Sequence, residues 1–511
     1  MIKFKFITFI LLAVTLLCAC NKNTQKQGRN YYFDARQGND NADGLNEYSA
    51  WKSLEKLNDV QLQAGDSLLF RRGSVFEGII EISAQGNAGK RIVIDAYGKG
   101  AKPCIKAPDA SLYTILIRNS DYVTLQNLEI TNTGSQRMPY RTGVKVMCEN
   151  YGISHHIILN ALNIHDVNGS LVKQEGGGSG ILIENKGNDM ISIFDSLTIE
   201  NCVIRRCERN AMIWSSYWNR QEWHPSTNTV VRKNLIEEVP GDGIVPIGCE
   251  AALIEYNLMR NCPATLPQTE AAAGIWPWSC DNTIIQFNEV SDHKAPWDAQ
   301  GFDSDYNCNN TTIQYNYSHD NEGGFILICN SGSTDKKVSI GNNGTIVQYN
   351  ISINDATRTQ PTRQGMFSPT IHIPGPCENT MVNNNILHVN PKPATNVDRS
   401  IITADSWDGY ANQTTFKENV FYVPQLSEIR LYESTNNIFD GNYYLGLYKG
   451  KPEDKNGKDH STFYNSLIDK DPTGFESLSP LFNTIEVGDG IATMKVVNKE
   501  AIRNFFNKIK E

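Results

Sequence analysis

At 511 residues, with 47 basic against 56 acidic side chains and a formal charge of −9, the chain has no basic surplus to neutralise a phosphate backbone. That balance excludes nucleic acid as the expected partner. A hydrophobic share of 40%, with many Asn, Gly and aromatic residues, points to a soluble β-rich body, and a repeat architecture of this length can form one domain.

Lys3 and Lys5 precede an apolar run, residues 6–17, that is too short to span a bilayer and ends in Leu17-Cys18-Ala19-Cys20. Residues 1–20 therefore read as a lipoprotein signal peptide. Cys20, with small Ala19 before it, is the expected acceptor of palmitate-type acyl chains, and the polar stretch 21–30 is a linker. The chain is expected to be an exported lipoprotein held to a membrane by lipid, on either the periplasmic or the cell-surface face. An ordinary secretory peptide is the alternative. Among the remaining cysteines, Cys249, Cys280, Cys308 and Cys329 recur once per repeat at nearly the same place, which fits free thiols buried in a core. No Cys/His cluster has zinc-site spacing.

Residues 31–78 hold a turn-rich Asn/Asp/Gly patch, an amphipathic piece and an alternating strand. Trp51, Leu54 and Leu57 are spaced so that 51–57 would cover the first coil of a solenoid as a short helix. This opening resembles the amino-terminal cap of pectate-lyase-like right-handed β-helix proteins.

The body repeats. Segments such as TIENCVI, VRKNLIE, IIQFNEV and TIQYNYS, taken in register, align Asn127, Asn201, Asn234, Asn257, Asn288, Asn316, Asn350, Asn385 and Asn419, with Ala161 in one further copy. Intervals of roughly 23 to 40 residues belong to solenoids. The asparagines are expected to form an interior hydrogen-bonded ladder over about ten coils. Each is followed by a second strand opening with Gly, as in GIVPIGCE, GIWPWSCD, GFDSDYNC and GFILICNS. The predicted fold is all-β: one right-handed parallel β-helix with its cap over 31–446, then a tail, 447–511, that closes the far end. Ile502, Phe505, Phe506 and Ile509 give the last stretch helical spacing.

Residues 274–329 carry the candidate chemistry. If Phe302 and Ser304 point inward, Asp303 and Asp305 point outward, because successive strand residues alternate. The same face would carry Val245 and Ile247, then Trp276 and Trp278, then the aspartates, then Ile326 and Ile328. Asp298 lies on the loop entering the strand. Carboxylates this close raise one another's pKa, so one can stay protonated as a general acid while another is ionised. Trp276 and Trp278 are candidate platforms for a pyranose face. Asp242, His319 and Glu322 are candidate substrate-binding residues, and His293, Trp214, Trp218, Trp223, His224, Trp297 and Asp320 lie on turns within reach of the same face.

These Gly strands, the asparagine register and WDAQGFDSDYNC resemble right-handed β-helix proteins that degrade carbohydrates, both glycoside hydrolases and polysaccharide lyases. Among them the lacto-N-biosidase-like family uses two aspartates, an acid/base and a nucleophile, separated as Asp298 and Asp305 are here. The resemblance implies a monomeric glycoside hydrolase acting on a complex oligo- or polysaccharide with no metal or cofactor, using Asp298, Asp303 and Asp305. Two alternatives stay open. A polysaccharide lyase of uronate-containing glycans would use Ca²⁺ on the carboxylates and Lys294 or Arg220 as base. A non-catalytic glycan-binding lipoprotein would show no turnover.

Overall fold

In the computed structural model, which describes residues 28–363, 365–391 and 396–510, short parallel strands stack coil upon coil around one hydrophobic interior. Residues 1–20, read above as a lipoprotein signal, and with them Cys20, lie outside the described residues. Among those described, no helix is long and apolar enough to cross a membrane.

The chain is a single parallel β-helix with three long faces. The ladder face is one sheet of 14 strands, from Asn30–Phe33 to Ile438–Asp440. The asparagine pattern accounts for ten of these. The stack is longer than that pattern because Asn30–Phe33, Ser67–Arg71 and Ile92–Tyr97 precede the first repeat and Ile438–Asp440 follows the last. The predicted cap helix is a 3₁₀ turn, Leu54–Asp59, while Trp51 itself packs on Tyr31 and Phe33 at the end of the core. On this face the middle residue of each short strand points inward, as Ile199, Val231, Ile254, Ile285, Ile313 and Val347 do, all fully buried. Each such side chain contributes ~1.5–3 kcal/mol by leaving water.

The ladder is real, but its register differs from the one read from sequence. Asn234, Asn257, Asn288, Asn316, Asn350, Asn385 and Asn419 each pass a side-chain N–H to the next Oδ1 at 2.9–3.0 Å, the last to Asn442. Asn127, Ala161 and Asn201 sit one residue earlier, at a left-handed turn with φ of 58°, 51° and 55°. In that coil the ladder slot belongs to Cys202, whose N–H donates to Asn234 Oδ1 at 2.9 Å. Two adjacent positions of one turn favour Asn for different reasons, one for a left-handed backbone and one for the buried amide, so a pattern match cannot separate them.

The second face runs from Val75–Glu77 through Tyr317–His319 to Tyr443–Lys449 and is covered by the tail. The first part of the tail caps the last coil, with Asp454 accepting the N–H and Nδ2–H of Asn442 and Lys458 bridging to Tyr443, but the tail does not stop there. It runs back along this flank as a helix, Thr462–Ile468, a hairpin, Phe482–Val487 with Ala492–Val497, and a final helix, Lys499–Lys510. The reason lies in the coils: Tyr256, Phe287, Tyr315 and Tyr349 stack outward with centroids 5.0, 5.5 and 5.4 Å apart, and Ile502, Phe505, Phe506 and Ile509 belong to the hydrophobic cluster that covers them.

The third face, which holds the aspartates, passes through Ser179–Lys186, Asn210–Ser215 and Ile244–Val245, a one-residue bridge at Ile275, then Gln300–Ser304, Gly324–Ile328 and Ile371–His372. Glycine opens these strands because coils approach closely at that corner. A Cβ on Gly274 would lie 2.3 Å from the carbonyl oxygen of Gly301, and one on Gly301 would lie 2.4 Å from Ser318 Oγ.

Candidate active site

Phe302 pairs with Ile275 behind it and Ile326 ahead, and both Phe302 and Ser304 are fully buried in the interior. Alternation then turns Asp303 and Asp305 to the outside, one coil on from Trp276 and Trp278. The next coil departs from expectation. Gly324 pairs with Gln300, not Gly301, so Phe302 faces Ile326 and Asp303 faces Leu327. This one-residue slip exchanges the two sides of the strand. Ile326 and Ile328 are core residues, and Leu327 and His372 continue the outer row beyond Asp303.

The outer row is walled. Asp303 is 4% exposed, while Asp298 and Asp305 are half-buried. Burial, reinforced by the charge of Asp305, pushes the Asp298 carboxyl up to about 6. The same two causes, with Asp298 added, raise Asp303 well above the usual carboxylate range. Asp305 is also raised by burial, against hydrogen bonds from Cys329 and the Tyr306 N–H that lower it. Among the described residues, ligand atoms of Asp303, Asp305 and Cys329 lie within 4.8 Å of one another and could jointly hold a cation.

Asp298 sits at a left-handed turn with Ala299, at φ of 59° and 63°. Arg358 holds that turn. Its guanidinium, 2% exposed, donates to the carbonyls of Ala295, Pro296 and Asp298 at 3.1, 3.2 and 2.9 Å and to Phe367 O at 3.1 Å. His293 braces the same loop from inside, with Nε2 3.0 Å from Gly241 O, and burial lowers it to about 4, so it is neutral there. The Asp298 carboxyl opens into a small cleft lined by Trp297, Gln300, Arg358, Phe367, His372 and Trp407.

The tryptophans are not the open platform expected. Trp276 is 5% exposed, donates from Nε1 to Asp242 at 3.0 Å, and has the Lys173 ammonium 5.4 Å above its ring. Trp278 is stacked on Trp218, centroids 5.4 Å apart, and Trp218 presents the exposed aromatic surface instead. Asp242 is fully buried and ion-paired with Arg209, which also meets Glu270. Burial alone would raise Asp242, but Arg209 and Lys173 hold it below its ordinary value. It supports Trp276 from beneath.

His319 is not brought to the cluster. It lies on the flank under the tail, with Nε2 3.2 Å from Glu289, Nδ1 2.8 Å from Asp320 and its ring edge-on to Phe475. Glu322 is buried and accepts from Thr359 Oγ1, and its carbonyl accepts from Ser368 Oγ. Arg220, one base considered for a lyase, is committed to Asp281 and the Asn307 carbonyl over the Trp223 ring, and Lys294, the other, is exposed.

Sequence reasoning missed Lys173, His372 and Cys329 as neighbours of the site. Lys173 comes from a loop 97 residues before its anchor Glu270, and nothing local marks it. His372, 2.8 Å from Asp405, needed the strand slip to be seen on this row. Cys329 was grouped with the stacked cysteines, whereas the slot in its coil is filled by Asn342 and Cys377 continues the stack. The described cysteines are all free, nine of them buried.

Four buried polar atoms around this row have no protein partner: Trp278 Nε1, Trp297 Nε1, Gln300 Oε1 and Asp303 Oδ1. In the ladder, by contrast, the buried amides are saturated. Donors and acceptors left open beside paired carboxyls are suited to the hydroxyls of a sugar.

No family model matches the chain. It is similar to a lacto-N-biosidase of Bifidobacterium longum subsp. longum, 27% identical over an alignment covering 84% of this chain and 31% of that protein, so it spans about a third of that relative's length. Its fold is similar to the crystal structure of a GH136 lacto-N-biosidase from Eubacterium ramulus, at a TM-score of 0.60 and 26% identity over 76% of this chain and 67% of that one. The selenomethionine form of the same protein gives 0.60 and 25%.

Proposed function

We propose that this protein is a glycoside hydrolase acting on oligosaccharides, with Asp298 as general acid and Asp305 as nucleophile or base. The observation that carries the reading is the pairing of a carboxyl raised to about 6 with a second carboxylate on the same walled row, ringed by the unpartnered atoms of Trp278, Trp297, Gln300 and Asp303. A proton held at Asp298 near neutral pH can pass to the glycosidic oxygen as the bond to the anomeric carbon breaks. Asp305 then stabilises or attacks that carbon, or draws a proton from the attacking water. Asp303, pushed furthest toward its neutral form, donates a hydrogen bond to a substrate hydroxyl.

The names of the relatives make lacto-N-biosidase substrates the first to assay. A glycan panel read by mass spectrometry tests the reading: hydrolysis adds one water per cleavage, elimination leaves an unsaturated product and a binder leaves the panel intact. Asp298→Asn should spare substrates with good leaving groups, which need little protonation, and Asp305→Asn should not. Full turnover in both variants would overturn the assignment. The reaction as read uses no metal, so EDTA should leave turnover unchanged. Attachment through Cys20 belongs to the same reading of an exported enzyme, and Cys20→Ser should release the protein to the soluble fraction.

A further inference from the structure

One buried nucleophilic group beside the carboxylates takes no part in the reaction proposed above. Cys329, 2% exposed, follows the strand Gly324–Ile328 and points its thiol at the carboxylate of the neighbouring coil. Its Sγ donates to Asp305 Oδ1 at 3.1 Å, and the Tyr306 N–H donates to the same oxygen at 2.6 Å. Among the described residues, both protein hydrogen bonds to the Asp305 side chain converge on Oδ1. The stacked cysteines behave differently: Cys280, Cys308 and Cys377 give their thiols to the carbonyls of Pro246, Pro277 and Ile328 at 3.5, 3.4 and 3.4 Å.

We propose that Cys329 is a positioning residue that clamps Asp305 Oδ1 together with the Tyr306 amide, leaving Oδ2 as the oxygen that meets the anomeric carbon or the attacking water. The proposal rests on Asp305 being the acting carboxylate. Three features support it. A carboxylate on a strand end has a free χ2 torsion, broad and two-fold, so two donors on one oxygen select one orientation of the plane. Donors on an ionised oxygen also favour the charged form, which the hydrolytic role requires against the pull of burial. Finally, burial and the charges of Asp305 and Asp303 hold the thiol well above its ordinary range, so Cys329 remains an S–H donor at any working pH and does not compete as a nucleophile.

The step balances without the sulfur changing state. An Oδ2 lone pair forms the bond to carbon, or takes a proton from water. The glycosidic bond breaks with its electrons going to the leaving oxygen, which takes the proton from Asp298.

The test compares Cys329→Ala and Cys329→Ser, with Asp305→Asn as reference, on any substrate the parent cleaves. Cys329→Ala should lower kcat about tenfold with KM within about twofold, since a weak donor to an ionised acceptor is removed. The acidic limb of the kcat/KM profile should move to higher pH, because Asp305 loses a contact that lowers its pKa. Cys329→Ser, which restores an O–H donor, should recover most of kcat and move that limb back. Wild-type kcat with an unmoved limb in Cys329→Ala would overturn the proposal, as would a serine variant as slow as alanine. Should alanine fail to fold, Cys329→Val, which keeps the volume and has no donor, takes its place: its limb should move to higher pH, and an unmoved limb overturns the clamp. If Asp305→Asn keeps full turnover, the hydrolase assignment fails first, a result distinct from any outcome at Cys329.

Discussion

The asparagine ladder and the aspartate row are built on the same coils, yet they treat polar atoms in opposite ways. In the ladder each amide from Asn234 to Asn419 gives one N–H to the next Oδ1 and another to a main-chain carbonyl, as Asn316 does with Asn350 and Ile285. On the row, Asp303 Oδ1, Gln300 Oε1 and two indole N–H groups lack protein partners, and three carboxyls share one confined space. A buried polar group that is satisfied holds the fold, and one that is left open costs stability that only a ligand returns. The contrast teaches that the coils carrying the aspartates gather open polar atoms beside close carboxyls, whereas the ladder on the same coils leaves its amides paired.

The comparison breaks most sharply at Asp305. Asp305→Asn should lower turnover by about a thousandfold or more while the protein stays folded, read by steady-state kinetics beside a thermal melt. A ladder change should do the reverse. Asn385→Ala removes the shared acceptor of the Asn350 N–H and Nδ2–H and one of the two donors to Asn419 Oδ1, and should cost about 3–5 kcal/mol in urea unfolding with normal activity per folded molecule.

A third outcome sharpens the difference in sign. Asp298 has a folded pKa of about 6, above its ordinary 3.8, so the stability of its protonated form is fully present below pH 3.8 and is lost as pH rises through 6. Asp298→Asn should therefore raise unfolding stability by about 1–3 kcal/mol at pH 7.5 and by nothing at pH 3.5, while activity falls. In the wild type, kcat/KM should decline above pH 6 as the acid loses its proton. The smallest effect is expected where the two behaviours meet. Asp355 takes the place of an amide, accepting the N–H and Nδ2–H of Asn321 at 3.0 and 2.9 Å, and burial raises it to about 7. Asp355→Asn should change stability by under about 1 kcal/mol at pH 5 and stabilise modestly at pH 8, where the native carboxylate is charged.

Much of this was legible beforehand for a physical reason: strand alternation is strictly local, so Phe302, Asp303, Ser304 and Asp305 could be assigned to faces from four letters. Register between coils is not local. The slip that places Phe302 against Ile326 comes from pairing Gly324 with Gln300 on the coil before it, and it moved Ile326, Ile328 and His372 to sides the sequence did not indicate. The ladder was found but misplaced by one residue at Asn127 and Asn201, where a turn needs Asn for its backbone. Lys173 and Arg358 shape the site from loops whose sequences carry no signal, because their partners are main-chain carbonyls or residues far along the chain, and His293, placed near the site by its turn, braces it through the distant Gly241 carbonyl. His319 looked equivalent to its neighbours and was drawn away by the tail.

The tail also changes how the stack can come apart. A solenoid whose coils touch only their neighbours frays from its ends, each unit lost at its own modest cost. Here Asp489 is paired with Lys102, the Gly488 N–H donates to Lys233 O, the Lys495 N–H to Glu289, Arg503 to the Tyr315 hydroxyl, and Ile509 O accepts from Tyr443. One strap is thus riveted to five places along the flank. Peeling a terminal coil strains every rivet, so unravelling under heat, protease or mechanical load becomes a single event of high barrier, and the chain gains endurance from length that would otherwise be its weakness.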